Sequence, residues 1–199
     1  KIKNFFINNK KQIIILIFLI ILIIFVFFFY GDFKEKNKIK LANRYNLVTI
    51  NFISDNKLKV KEELIEIIYK KDRTYSPLAL YFLIDNNIIN ENSLINKLFD
   101  VIIDETNLEK EIKNLVIYKK ALFNSNFETE NNLIKILNPV INSDSIWKSH
   151  ALYLMAEFFH FKNEKQKSKE FFEQIIILEN SNPSIKIEAQ KRLNRDFSE

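Results

Sequence analysis

The sequence predicts an all-α fold in which one transmembrane helix precedes an array of antiparallel helix pairs. Three observations predict it. Residues 13–30 form an unbroken apolar run that ends in a tyrosine. The 199 residues include one glycine and three prolines, too few for the turns of a hairpin-rich sheet. After residue 34, apolar residues recur at spacings of three and four, which is the period of an α-helix.

The apolar run is long enough to cross a bilayer. Its 18 residues would extend about 27 Å as a helix, close to the roughly 30 Å of a hydrocarbon core. We expect it to be a membrane anchor, marked along its length by Ile13, Phe18, Phe25 and Tyr30. A cleaved signal peptide has a shorter apolar core than this run, and it has small residues at the cleavage site, which this sequence lacks. A buried core helix is the other alternative, but the remaining chain is too small to surround it.

The flanks of the anchor bear on its orientation. Residues 1–12 carry four lysines and no acid, so we expect a basic cytoplasmic tail. Residues 34–44 carry four lysines and one arginine, which weakens the contrast between the two sides. Charge therefore favours a cytoplasmic N-terminus only mildly. Residues 31–199 are predicted to form one helical repeat domain.

Apolar periodicity divides this domain into nine helices. N-cap signals mark five starts: capping boxes at Thr106 and Ser125, a polar residue before proline at Ser76 and Asn182, and the polar run 54–56 before the second helix. The helix after Thr106 carries apolar positions at Ile112, Leu115, Tyr118 and Leu122. The predicted helices cover about residues 34–53, 57–70, 77–89, 94–104, 106–122, 128–141, 145–162, 164–178 and 183–193.

A degenerate repeat runs through these helices. Similar tripeptides begin at Ala79, Ala121 and Ala151, at steps of 42 and 30 residues, whose mean of about 36 is near the tetratricopeptide period of about 34. Small residues let two helices approach and large ones fill the groove beside them. We predict a tetratricopeptide-like α-solenoid, with a non-repeating antiparallel bundle as the alternative. The predicted packing residues are Ala79, Ala121, Ala151, Ala156, Phe159, Ser168 and Phe172.

The layout also resembles a known family. A basic tail, one anchor and a long charged helix precede four segments: Ser76-Pro77-Leu78-Ala79, Ile117-Tyr118-Lys119-Lys120-Ala121-Leu122, Ser145-Ile146-Trp147 and Pro183 to Leu193. Over nearly everything after Gly31, the chain resembles the bacterial ancillary SecYEG translocon subunit / cell division coordinator family of tetratricopeptide proteins. The resemblance implies an inner-membrane protein with a cytoplasmic N-terminus and a periplasmic repeat domain. It also implies translocon subunits and a membrane-tethered periplasmic chaperone as partners.

Sites for chemistry are scarce in the sequence. The absence of cysteine excludes disulfides and thiolate ligands, and a single glycine excludes glycine-rich phosphate loops. Glu157-x-x-His160 has the spacing of a di-iron motif but lacks a second copy. We therefore predict no metal, cofactor, catalytic residue or small-molecule substrate. The net charge is +5, but the basic residues are interspersed with acidic ones, so we predict no nucleic-acid partner.

Trp147 and Tyr153 are the candidate protein-binding residues, although aromatic residues at helical spacing more often belong to a core. The expected function is that of a membrane-anchored, non-catalytic, chaperone-like adaptor beside the Sec translocon. An envelope scaffold or division-coordinating tetratricopeptide protein unrelated to export is the alternative within the same fold. An enzyme is the third hypothesis, which would require a cleft with converging titratable groups.

Overall fold

The computed structural model describes residues 10–53 and 56–197, and it leaves out the side chains of residues 10, 12–14, 16, 17, 28, 30 and 32. The regular elements of these described ranges are all α-helices, so the predicted all-α class is confirmed. Residues 1–9 of the predicted basic tail lie outside the described residues. The chain divides into two units, the first ending at Ile53 and the second beginning at Ser54.

The described part of the first unit contains one long helix, α1 (Lys10–Ile50), of 41 residues. This helix continues through Gly31, so the apolar run and the charged segment after it belong to one helix. A Cβ added at Gly31 would meet nothing within 4 Å. Phe18 and Phe25 are 67% and 59% exposed, whereas the side chains of Ile13 and Tyr30 lie outside the description. A search of the described residues finds no helix with the length and apolar character that a membrane crossing requires.

The second unit contains eight described helices, each within about four residues of a predicted one. Within the unit, each helix packs on the next one in the chain, and α2 also packs on α4, α5 on α7, and α7 on α9. From α5 to α9, this is how stacked antiparallel pairs pack in an α-solenoid. We call α5, α7 and α9, together with α3 before them, the first-helix row. The helices are α2 (Lys57–Tyr69), α3 (Tyr75–Asp85), α4 (Asn92–Glu105), α5 (Lys110–Asn124), α6 (Glu130–Ile141), α7 (Lys148–Phe161), α8 (Lys165–Ile177) and α9 (Pro183–Asp196).

The core of this unit lies between the paired helices. One cluster joins α5, α6 and α7, and a second joins α7, α8 and α9. Small residues lie where helices approach most closely, and phenylalanines fill the space beside them. The residues predicted to pack the repeats are all at most 1% exposed: Ala79, Ala121, Ala151, Ala156, Phe159, Ser168 and Phe172.

Two fully buried serines donate hydrogen bonds between paired helices. Ser168 Oγ of α8 donates to the carbonyl of Ala156 on α7 at 2.9 Å. Ser76 Oγ of α3 donates to the carbonyls of Ile67 and Ile68 on α2 at 3.2 and 3.0 Å. The prediction that Ser76 is an N-cap is therefore wrong. Its hydroxyl is used inside the pair because α3 already begins at Tyr75.

Two other predicted caps also differ from the structure. Thr106 follows the last residue of α4 and donates to the carbonyl of Val101 at 3.4 Å, so it lies at a helix end and not at the start of α5. The N-cap of α6 is Thr129, not Ser125. Asn182 is confirmed as the cap of α9, since its side chain accepts from two backbone amides of the first turn.

Candidate protein-binding surface

The helices of the first-helix row are linked by side-chain contacts. Lys119 Nζ of α5 lies 4.6 Å from the centroid of the Tyr81 ring on α3. The Tyr118 ring of α5 stacks on Trp147, the N-cap of α7, with centroids 6.0 Å apart. Farther along, α7 and α9 are joined by an ion pair described below. We call the side of the row that carries Leu78, Tyr81, Ile112, Leu115, Tyr118, Leu122 and Trp147 the first-helix surface.

An apolar stripe of α5 lies at the centre of this surface. Lys119 and Tyr118 point about 100° apart on the helix, so α5 meets α3 on one side and α7 on the other. Leu115 and Leu122 project between these two directions, with Ile112 beside them. Leu122 is 47% exposed and Ile112 42% exposed, while Leu115 is half-buried. A half-exposed apolar stripe between two neighbouring helices is typical of a surface that a partner covers.

Tyr81 borders the stripe on the α3 side. Burial raises the pKa of the Tyr81 phenol well above its usual range, so the ring below the Lys119 ammonium is neutral. Its hydroxyl is buried and has no hydrogen-bond partner among the described residues, which costs about 1–3 kcal/mol. Leu78, one turn away, is 41% exposed and extends the apolar area onto α3.

An aromatic cluster borders the stripe on the α7 side. The His150 ring lies 5.1 Å from Trp147 and meets the edge of Tyr118 at 5.8 Å, measured between centroids. Burial lowers the pKa of His150 and raises that of Tyr118, so both side chains are neutral at pH 7. Trp147 also packs against the buried cluster of α5, α6 and α7. Its ring therefore has a structural role in addition to its half-exposed position at the predicted binding surface.

Glu111 fixes the segment that presents Trp147. Its carboxylate accepts from Ser145 Oγ at 2.7 Å and from the backbone amide of Ile146 at 3.1 Å. Ser145 Oγ in turn accepts from the Trp147 amide at 3.1 Å. The start of α7 is thus held to the start of α5, and Ile146 is left 63% exposed at the end of the first-helix surface.

Tyr153, the second predicted binding residue, is bound mainly to its own domain. Its ring meets the edge of Phe172 at 5.5 Å between centroids. Burial, the negative charge of Glu157 and a hydrogen bond to that carboxylate raise the pKa of Tyr153 to about 12. Glu157 also accepts two hydrogen bonds from Arg192 of α9, at 2.7 and 2.9 Å. This bidentate geometry makes the pair a specific link between α7 and α9.

The two side chains of the Glu157-x-x-His160 motif have different partners. Glu157 binds Arg192, whereas His160 Nε2 lies 3.9 Å from Asp196 Oδ2. Arg192 Nη1 also pairs with Asp196 at 2.8 Å, so both acids face an arginine. Within the part of the chain that the structure describes, no group of three or more candidate ligands could hold a metal ion.

No family model, curated protein or solved structure matches this chain. The family resemblance in the sequence therefore stays a prediction.

The sequence predicted Trp147 and Tyr153 as binding residues, which stays a prediction, and it did not indicate the α5 stripe as a surface. The apolar positions that mark α5 in the sequence lie on its half-exposed side, whereas its buried side is formed by Val116, Ile117 and Ala121. The signal in the sequence that could have indicated this surface is that α5 carries apolar residues on both of its sides. One side fills the core, and the other remains for a neighbour or a partner.

Proposed function

We propose that this chain is a membrane-anchored, non-catalytic, chaperone-like adaptor that binds protein beside the Sec export translocon. The proposed binding role rests on the half-exposed apolar stripe of α5, which lies between the contacts of α5 to α3 and to α7. The stripe consists of Ile112, Leu115 and Leu122. Tetratricopeptide-like rows of helices offer long surfaces suited to extended or helical protein segments. Burial of the stripe by a partner would contribute about 25 cal/mol per Å² of apolar area.

The membrane part of the proposal rests on the sequence of residues 13–30 and on the family resemblance. Exposed side chains such as Phe18 and Phe25 are apolar surface that a bilayer would cover. The proposed orientation has the N-terminus in the cytoplasm of a bacterium and the repeat domain in the periplasm. In this arrangement the anchor concentrates the first-helix surface next to membrane-bound partners, namely translocon subunits and a membrane-tethered periplasmic chaperone.

Orientation is tested with a reporter that is active only in the periplasm, fused after Glu199. We expect an active fusion. The matched control lacks residues 13–30 and should lose activity at equal expression. An inactive but well-expressed full-length fusion would reverse the proposed topology.

Binding is tested with a photo-reactive amino acid at Leu122, in native membranes. The matched control places it at Lys135, an exposed residue of α6 outside the first-helix row. We expect export subunits or their chaperone among the products from Leu122 and not from Lys135. Division or other envelope proteins at Leu122 would instead favour the scaffold function. Equal products from the two positions would contradict a role for the first-helix surface.

A further inference from the structure

A short basic segment follows the apolar run on the same helix. We call residues 34–40 of α1 the basic segment, because it contains four lysines: Lys34, Lys36, Lys38 and Lys40. All four side chains are exposed, and none of them forms an ion pair within the described part of the chain. The segment also contains one acid, Glu35, so four positive charges and one negative charge leave a net charge of +3.

Helix geometry sets the distance of these lysines from the apolar run. At about 1.5 Å per residue, Lys34 lies about 6 Å and Lys40 about 15 Å beyond Tyr30, where the run ends. Polar head groups occupy about 5–8 Å on each side of a hydrocarbon core, and the Debye length adds about 8 Å at physiological ionic strength. Helix side chains also lean toward the N-terminus, which is the direction of the apolar run. With residues 13–30 in a bilayer, all four ammonium groups are therefore within electrostatic reach of the head groups.

The lysines are distributed around the helix and not along one face. Successive residues of a helix are about 100° apart, so Lys34 and Lys38 share one side of α1. Lys36 and Lys40 share the opposite side, about 200° away. A helix that lies flat on a membrane has instead one cationic side and one apolar side. Charge on two opposite sides suits a helix that passes upright through the head-group layer, with lipids all around it.

We propose that the basic segment binds anionic phospholipid head groups, which surround α1 where the helix leaves the bilayer. Lysine side chains near a membrane surface attract anionic lipids within about a Debye length. The inference rests on the membrane anchor of the proposed function, and it adds a preference for anionic over zwitterionic lipid. Glu35 opposes this preference, because its carboxylate lies between two of the lysines in the sequence.

The experiment measures which lipids surround the basic segment. Because the chain has no cysteine, Asn37→Cys provides a unique position for a fluorescent donor within the segment. The labelled full chain is reconstituted in phosphatidylcholine vesicles, with trace acyl-chain-labelled phosphatidylglycerol or phosphatidylcholine as the energy-transfer acceptor. We expect phosphatidylglycerol to be enriched about threefold over phosphatidylcholine near the donor. Salt at about 1 M, where the Debye length is about 3 Å, should reduce the enrichment.

Two variants test the charges of the segment. The variant K34Q/K36Q/K38Q/K40Q should lose the enrichment, whereas Glu35→Gln should increase it. The matched control replaces four exposed lysines of the second unit by glutamine, which changes the net charge equally and should leave the enrichment unchanged. These lysines are Lys70, Lys97, Lys110 and Lys135. Helicity by circular dichroism verifies that every variant is folded.

Equal enrichment in K34Q/K36Q/K38Q/K40Q and in the chain with its lysines intact overturns the proposal. Exchange of chloride for inorganic phosphate at constant ionic strength should have no effect. Loss of the enrichment in phosphate would also overturn the proposal, because the segment then binds free phosphate. Extraction at alkaline pH separates the inference from the proposed function. A chain that stays in the vesicles without lipid preference overturns the inference alone, whereas an extracted chain contradicts the anchor on which both rest.

Discussion

Ser168 on α8 and Ala156 on α7 are both fully buried, and the serine hydroxyl donates to the alanine carbonyl at 2.9 Å. Two small side chains at this position bring the helix backbones close together. The hydroxyl needs this bond because a buried polar group without a partner costs about 1–3 kcal/mol. The pair thus combines close approach with a specific polar link at the centre of the last full repeat.

Ser168→Ala is expected to lower the free energy of unfolding by about 1 kcal/mol, the net value of one hydrogen bond. Ser168→Leu should lower it by more, about 1–3 kcal/mol, because the larger side chain forces α7 and α8 apart. Urea denaturation followed by circular dichroism measures both effects. Ser184→Ala at an exposed position of α9 is the control and should change stability by less than about 0.5 kcal/mol. Equal stabilities for Ser168→Leu and the wild type would contradict the packing role.

Asn163, the second residue after the end of α7, has a φ of 59°, in the left-handed region that favours glycine. Its amide donates to the carbonyl of His160, and the next amide donates to Phe159 at 2.9 Å, as in a Schellman motif. Asn163→Ala should destabilise the domain by about 1 kcal/mol, whereas Asn163→Gly should be neutral or stabilising.

The control for this turn is Asn142, which ends α6 with a φ of −89°. There, Asn142→Gly should destabilise, since glycine adds only flexibility at a negative φ. Thermal unfolding of the two glycine variants measures their changes in stability, which we expect to have opposite signs. The same response to glycine at both positions would argue against left-handed strain as the cause.

Glu157→Gln is expected to lower the pKa of Tyr153 from about 12, because the substitution removes the negative charge that opposes phenolate formation. The pKa should remain above 10, since burial is the largest cause of its rise. NMR of ¹³C-labelled tyrosine as a function of pH measures it. Glu173→Gln, on the exposed side of α8, is the control and should leave this pKa unchanged. A Tyr153 pKa that does not respond to Glu157→Gln would rule out the contact.

Fluorescence of Trp147, the single tryptophan of the chain, is expected to report the protonation of His150. A protonated imidazole quenches indole fluorescence, and burial lowers the pKa of His150 from 6.5. We therefore expect a fluorescence decrease with a midpoint below pH 6.5. His150→Phe should abolish the decrease, and His160→Gln should leave it intact. A midpoint at or above pH 6.5 would contradict the burial of His150.

The lowered pKa of His150 also predicts how the stability of the domain depends on pH. Because the pKa of His150 is lower in the folded state, the unfolded chain binds more protons between that lowered value and 6.5. The contribution of His150 to the free energy of unfolding is therefore fully present above pH 6.5 and decreases as the pH falls through this window. Urea denaturation at several pH values should show a smaller pH dependence for His150→Phe than for the wild type.

Local sequence patterns were sufficient to predict the helical class, the approximate helix positions and the buried packing residues. The period of three and four residues and the lack of glycine leave little choice of secondary structure. Positions such as Ala156 and Phe172 follow from the same pattern, because small and large residues alternate where helices pair.

The hydrogen-bond partners of the polar side chains and the exposure of the apolar faces depend instead on how the helices pack in three dimensions. Ser76 and Thr106 match N-cap patterns, but each hydroxyl donates to a carbonyl that lies within reach in three dimensions, and those carbonyls belong here to α2 and α4. Likewise, the exposure of Leu122 depends on α3 and α7 lying on either side of α5. Residues distant in sequence set that arrangement, so no local pattern could have revealed it.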